Sequence, residues 1–453
     1  MPLERTDKLP RKLGLFSSTN IVIANMIGAG IFTTSGLLMG DLGNPLLMLL
    51  LWVVGGVIAL CGAISYSELG TAMPHAGGEY KFLSQLFHPM YGFLSGWVSF
   101  IVGFSAPIAA SAIGFSEYLF HAFPGISTNL GFPENGLKKL VAILVILLFS
   151  FIHLRGTSIG AKVQNYLTVL KVVLIVGLIF AGFLLGDGNF SHFKMGGTMI
   201  SGFGSWKTIG LSLMWIMFAY SGWNASTYIG SEIKNPKKNL SRSLLIGTGI
   251  VMVLYLLLNA LFIYAIAPGD MSGVIAIGGL AVNNLFGSAT DTLISLLISF
   301  ALFSSLSAFI IIGPRVYYAM AKDGYFFKFL AEVHPKFKVP TKAILIQALI
   351  SIIMVFSGAF DQILTYMGFS LGIFPILAVI GVFRLRASGR SVIKLPGYPW
   401  VQLFYILMGI FILGLAYLER PMESSIALLT VLVGIPFFFI FKRMYRQNKK
   451  VLP

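Results

Sequence analysis

Long apolar runs separated by short polar stretches order this chain. Leu46–Leu60, Leu140–Phe151, Val172–Leu185 and Ile426–Phe441 carry no charged residue. A helix that crosses a membrane needs ~20 mostly apolar residues. By that measure the pattern predicts about twelve spans, at 15–38, 45–69, 91–120, 138–154, 159–185, 206–231, 242–267, 287–320, 342–358, 361–383, 400–418 and 423–442. A polar, basic stretch precedes the first run, and no small-residue cleavage site follows a short apolar core. The run is therefore expected to be retained rather than removed as a signal peptide.

Two of the spans are interrupted. The first contains "NMIGAGIF", Asn25–Phe32, with Gly28 and Gly30 in its middle. The sixth contains "FAYSGWN", Phe218–Asn224, with Gly222 in its middle. An odd number of crossings separates them, so corresponding spans run in opposite directions. This predicts an inverted repeat, 15–185 against 206–383, with two further helices at 400–442 outside it. Matched, glycine-interrupted spans point to a transporter's binding site. The competing explanation is that the glycines only let helices pack closely.

Composition supports a membrane location. Hydrophobic residues make up 57% and charged residues 11%, against ~25% charged in a soluble domain; mean hydropathy is +0.86. The net charge is +16. With the N-terminus placed inside, nearly all Lys and Arg fall in inside loops, in groups such as Arg5–Lys12, Lys234–Arg242 and Arg315–Lys342. Only Lys138, Lys139, Lys194, Lys207 and Arg420 fall outside. This asymmetry predicts that both chain ends are cytoplasmic. Nucleic acid is disfavoured as a partner, because the basic residues are spread over many loops. The lone cysteine, Cys61, precludes an internal disulfide.

Unwinding a helix inside a membrane frees backbone groups that need partners or a ligand. A new helix N-terminus suits a carboxylate, and a new C-terminus suits an ammonium group. An α-amino acid carries both, so two broken helices can hold the zwitterion without a charged side chain. No Asp, Glu, Lys or Arg lies near either break. The six histidines (His75, His88, His121, His153, His192, His334) read mostly as loop residues without metal-ligand spacing. No phosphate-binding glycine loop with a lysine is visible. No metal, cofactor or catalytic constellation is expected, so the chain does not read as an enzyme.

The motifs "MIGAGIF", "SYSELGTAMPHAGGEY" (Ser65–Tyr80), "FAYSGWN", "SEIKNPKKNLSRS" (Ser231–Ser243) and "RVYYAMAKDGYF" (Arg315–Phe326) occur in order along the chain. As a set they resemble the amino acid–polyamine–organocation (APC) superfamily, and most of all bacterial members of its L-type amino acid transporter family that exchange alanine, serine and cysteine. The resemblance implies an all-α integral membrane protein of 12 transmembrane helices. These would form a LeuT-type 5+5 inverted repeat with helices 1 and 6 unwound. It implies a sodium-independent antiporter of small neutral L-amino acids in the plasma membrane, working by alternating access.

Carried over by residue, the amides of Ala29 and Gly30, near Gly28 and Ile31, would meet the substrate carboxylate. The carbonyls of Met26, Ile27, Phe218, Ala219 and Ser221, beside Gly222, would face its ammonium group. Phe218 would also act as a lid, with Tyr220 and Trp223 as gate or packing residues.

Lys171 stands out from its span. Gln164, Thr168 and Lys171 share one helix face. Lys171 lies roughly 18 Å beyond the start of its span at 1.5 Å per residue, too deep to snorkel easily to water. Such residues are usually functional and face the interior. The resemblance implies that its ammonium takes the place between helices 1 and 8 where sodium-coupled relatives hold a cation, with Ser304, Ser305 and Ser307 as candidate partners.

Two departures from the family matter. Mammalian members carry a cysteine between helices 3 and 4 for a disulfide-linked accessory subunit, and Phe120–Lys138 has none. Ser221 stands where relatives often have glycine, which mildly favours small substrates. The alternatives are a proton-coupled or cationic amino acid carrier, for which Glu117 is the nearest acid, and an amino acid sensor that moves nothing. A sensor is expected to carry an added signalling domain, and both tails are short.

Overall fold

A computed structural model describes residues 9–123, 125, 131, 133–194, 202–274, 276–287, 291–357 and 360–450. The placement expected for the chain ends, 1–8 and 451–453, lies outside these residues. The described chain is helical: α1 (Leu15–Met26), α2 (Ala29–Leu42), α3 (Pro45–Ala72), α4 (Glu79–Leu86), α5 (Pro89–Val98), α6 (Ser105–Ala122), α7 (Glu134–Leu154), α8 (Thr157–Leu185), α9 (Gly202–Ala219), α10 (Ala225–Tyr228), α11 (Pro236–Ala265), α12 (Pro268–Met271), α13 (Ile277–Phe286), α14 (Asp291–Lys322), α15 (Thr341–Ser357), α16 (Phe360–Ala387), α17 (Trp400–Glu419) and α18 (Pro421–Lys450). Among the described residues the extended pairings are two isolated bridges, Leu13 with Ile233 and Ala76 with Ile229.

Among the described residues, ten helical stretches are long and apolar enough to cross a membrane, counting α1–α2 and α5–α6 as one each. The two other expected spans fall short for different reasons. The stretch 206–231 folds as α9 and then breaks. The stretch 342–358 corresponds to α15, which has 17 residues.

Local chemistry sets several boundaries. Asn44 accepts a hydrogen bond from the Leu47 N–H at 3.0 Å, capping α3, and Pro45 occupies its first turn. Pro89 and Pro236 open α5 and α11 in the same way. Between α5 and α6 the chain makes a π-helical turn, Ser99–Gly103. Pro107, one turn on, has no N–H to continue the α-helical ladder, and such bulges often mark functional places.

The helices form inner and outer sets. In the most apolar 18-residue part of α1–α2, 78% of the residues are buried, and in those of α5–α6 and α14, 72%. In those of α17 and α18 the share is 28%. Their outward residues include Leu407, Ile410, Leu429, Leu432 and Phe439. An apolar exterior over an apolar core suits a bilayer.

The end of the bundle near residues 9–14 is stitched by ion pairs. Arg315 donates to buried Glu232 at 2.8 and 3.2 Å, and Thr157 donates to the same carboxylate at 2.7 Å. Arg386 donates to Glu68, and the Leu395 N–H joins it at 3.0 Å. Lys81 pairs with Asp323. The N–H groups of Lys12 and Leu13 donate to the Glu232 carbonyl at 2.8 and 2.9 Å, which ties the N-terminal segment beneath the second break.

Candidate binding site between the broken helices

The chain unwinds at both places the glycines indicated. α1 stops at Met26, Ile27 is extended, and α2 restarts at Ala29. α9 stops at Ala219, and the four-residue α10 begins at Ala225. The glycines have distinct roles. Gly222 has φ +100°, and a Cβ there would lie 2.8 Å from the Asn25 backbone. Only glycine meets both conditions. At Gly30 a Cβ would lie 2.8 Å from the Ala219 Cα, so this glycine lets the two breaks touch.

Between the breaks lies a cavity of about 150 Å³. Met26, Gly28, Ala29, Gly30, Phe218, Ala219, Ser221 and Gly222 line it, as does Trp223. The first N–H groups of α2 have no partner within their helix, and they belong to residues on the cavity wall. The π-turn supplies Ser99 and Gly103 to the opposite wall, with Phe104, Pro107 and Ser111 beyond it.

Other expected residues stand elsewhere. Ile27 and Ile31 are fully buried behind the wall. Tyr220 packs against the Trp52 and Tyr255 rings and donates to the Trp52 carbonyl at 3.2 Å. Several carbonyls expected to face a ligand already accept hydrogen bonds. Tyr255 donates to Met26 at 2.5 Å and to Ala219 at 3.0 Å. The Phe218 carbonyl accepts from the Ser221 N–H at 2.9 Å, a tight turn within the break.

Lys171 is 1% exposed, so its ammonium does not reach water by snorkelling. It donates to the Ile27 carbonyl at 2.8 Å, to Ser305 Oγ at 2.9 Å and to the Ala24 carbonyl at 3.5 Å. Ser305 also donates to Ile27. Of the three candidate serines, Ser305 is therefore the partner. Ser304 Oγ has none among the described residues, and Ser307 pairs with His153 at 2.9 Å. Gln164 and Thr168 are buried on the same face, bonded to each other at 3.1 Å. His153, inside the expected span 138–154, lies buried in the last turn of α7.

The sequence reading missed an acid. Glu79, at the start of α4, lines the cavity. It accepts from Tyr66 at 2.8 Å and from Asn224 at 2.6 Å. Burial pushes its carboxyl above the usual carboxylate range, and hydrogen bonds from Tyr66, Tyr228, Asn224 and Ser95 oppose the shift. The motif ending in "GGEY" held this residue, which falls between the expected spans 45–69 and 91–120. Glu117, the acid that was considered, is at the periphery and pairs with Lys138 at 2.6 Å. Tyr255 and Asn25, in apolar runs, gave no separate signal. Among the described residues no cluster of His, Cys, Asp and Glu has a metal-binding arrangement.

A family model described as amino acid permease matches residues 13–439. The chain is 30% identical over 444 residues to a serine/threonine exchanger, SteT, of Bacillus subtilis (strain 168), an alignment covering 96% of this chain and 98% of the relative. It is 27% identical over 448 residues to the mouse (Mus musculus) b(0,+)-type amino acid transporter 1, covering 96% and 89%. It is also 27% identical over 455 residues to the mouse large neutral amino acids transporter small subunit 2, covering 97% and 82%.

Proposed function

Because the chain belongs to the amino acid permease family, we propose that it exchanges small neutral L-amino acids across the plasma membrane without sodium. The observation that carries the proposal is the cavity walled by both breaks, with the open N-terminus of α2 on its surface. The substrate carboxylate meets the amides of Ala29 and Gly30. The Ser221 carbonyl and one lone pair of Phe218 remain for its ammonium group, and the Phe218 ring closes over it. At ~10–15 Å³ per water-sized centre, about 150 Å³ admits alanine, serine, cysteine or threonine with room to spare. The preference for such small substrates rests instead on the Ser221 side chain at the cavity wall, where relatives often have glycine.

In this reading 12 helices span the membrane, with α9–α10 and α15 completing the set. The stretches 15–185 and 206–383 form a LeuT-type inverted repeat within a single transport domain. The helices at 400–442 stand outside it, and both chain ends are cytoplasmic. The Lys171 ammonium between α1 and α14 holds the carbonyl freed at Ile27, which leaves no role there for sodium. The lack of a cysteine in Phe120–Lys138 argues against a disulfide-linked partner.

Glu79 favours a second reading, a proton-coupled or cationic amino acid carrier, because it puts an acid on the cavity wall. Its hydrogen bonds from Tyr66 and Asn224 argue that the carboxylate is committed to holding the structure.

The test is uptake of labelled alanine by proteoliposomes preloaded with unlabelled alanine, with and without sodium and a pH gradient. Uptake that needs internal amino acid but neither gradient supports exchange. Uptake driven by a proton gradient, or competed by arginine in preference to alanine, supports the second reading. Binding without flux would identify a sensor.

A further inference from the structure

Resting on the exchanger reading, we infer that the side-chain carbonyl of Asn25 receives the ammonium group of the bound amino acid. Asn25 ends the face of α1 that meets the cavity, and it lines that cavity. It is 2% exposed. Its Nδ2 donates to the Ile21 carbonyl at 2.7 Å, one turn back in α1. That bond fixes which way the amide faces, because a backbone carbonyl only accepts. Oδ1 is thereby directed away from its own helix, and it has no hydrogen-bond partner among the described residues. A buried amide oxygen left without a donor is costly, and native structures rarely keep one without a reason.

Three neighbouring carbonyls are already engaged, which leaves those of Ser221 and Phe218 to share the ammonium group with Asn25. Met26 and Ala219 accept from Tyr255, and Ile27 accepts from Lys171 and Ser305. Asn25 thus offers an uncommitted acceptor at the C-terminal end of α1, where the helix dipole favours a cation. Gly222 presses against the Asn25 backbone and Cβ, which holds the residue in place from the second break. The N–H groups of Ala29 and Gly30 begin the next helix a few residues on, so one amino acid can reach both features.

Two nearly isosteric variants test this. Asn25→Thr keeps an acceptor oxygen, and its hydroxyl can still donate to Ile21, whereas Asn25→Val keeps the shape alone. Each is purified, checked for a monodisperse folded species, and assayed for alanine exchange in proteoliposomes. Losing a hydrogen bond to a charged group predicts a rise in KM of about 10- to 100-fold for the valine variant, with maximal rate little changed. The threonine variant is expected within about threefold of the parent. A valine variant as good as the parent, or equal losses in both variants, would overturn the inference. If the valine variant does not fold, Asn25→Ser and Asn25→Ala are compared in the same way. A parent protein that neither binds nor moves any amino acid would sink the proposed function itself. Parent exchange with an unaffected valine variant sinks only this inference.

Discussion

Replacing Lys171 with methionine separates the stability of the fold from its operation. Methionine keeps most of the chain length and removes the ammonium. The variant loses the two short bonds of the parent, to Ile27 at 2.8 Å and Ser305 at 2.9 Å. Hydrogen bonds involving a charged group contribute about 1.5–3 kcal/mol each, so the gross loss is about 3–6 kcal/mol. Against that, burying an ammonium costs several kcal/mol in its own right, and the variant escapes the cost. The opposing terms are of similar size, and the net change in stability is expected to lie within about 2 kcal/mol of zero. Ile27 still accepts from Ser305, but α8 no longer holds the break. Exchange should therefore fall at least about tenfold while thermal unfolding in detergent moves little, because the interaction tunes geometry more than it stabilises. Exchange is measured with substrate on either face of the liposome. Parent-like rates and affinities from both faces, in a folded variant, would refute the reasoning.

Four further outcomes are expected. Gly222→Ala combines a strained backbone with a clash against Asn25, about 2–6 kcal/mol together, and should lower the unfolding temperature and abolish uptake. Tyr255→Phe removes one donor shared by the two breaks and should cost about 1–3 kcal/mol in denaturant unfolding. Arg315→Met leaves Glu232 charged and buried, a loss of about 3–5 kcal/mol that the double variant with Glu232→Gln should largely recover. Glu79 binds its proton more tightly when folded. Stability should therefore fall as pH rises from the ordinary carboxylate value of 4.5 through the raised folded value. Unfolding temperatures recorded across that window should lose this slope in Glu79→Gln.

The hydrophobic pattern carried most of the fold, because in lipid every backbone group must pair within its own segment and length alone identifies a span. It missed where partners come from distant helices. Gly28 and Gly30 gave the position of the first break, but only packing distinguishes them: Gly30 meets Ala219, whereas the nearest atom to a Cβ at Gly28 is Ser305 Oγ at 3.8 Å. Lys171 was legible because a buried charge stands out in an apolar run. Tyr255 was not, since a tyrosine in such a run reads equally well as packing. Its two carbonyl partners lie in segments that no spacing rule connects. Glu79 was hidden because it stands between two expected spans, where no spacing rule places it against either break.

The Tyr255 hydroxyl has two acceptors and a single proton. At any instant that proton can lie fully on one carbonyl only, Met26 on the first break or Ala219 on the second. One side chain of α11 thus fastens the end of α1 to the end of α9, so a single hydroxyl serves as the common clasp of both breaks.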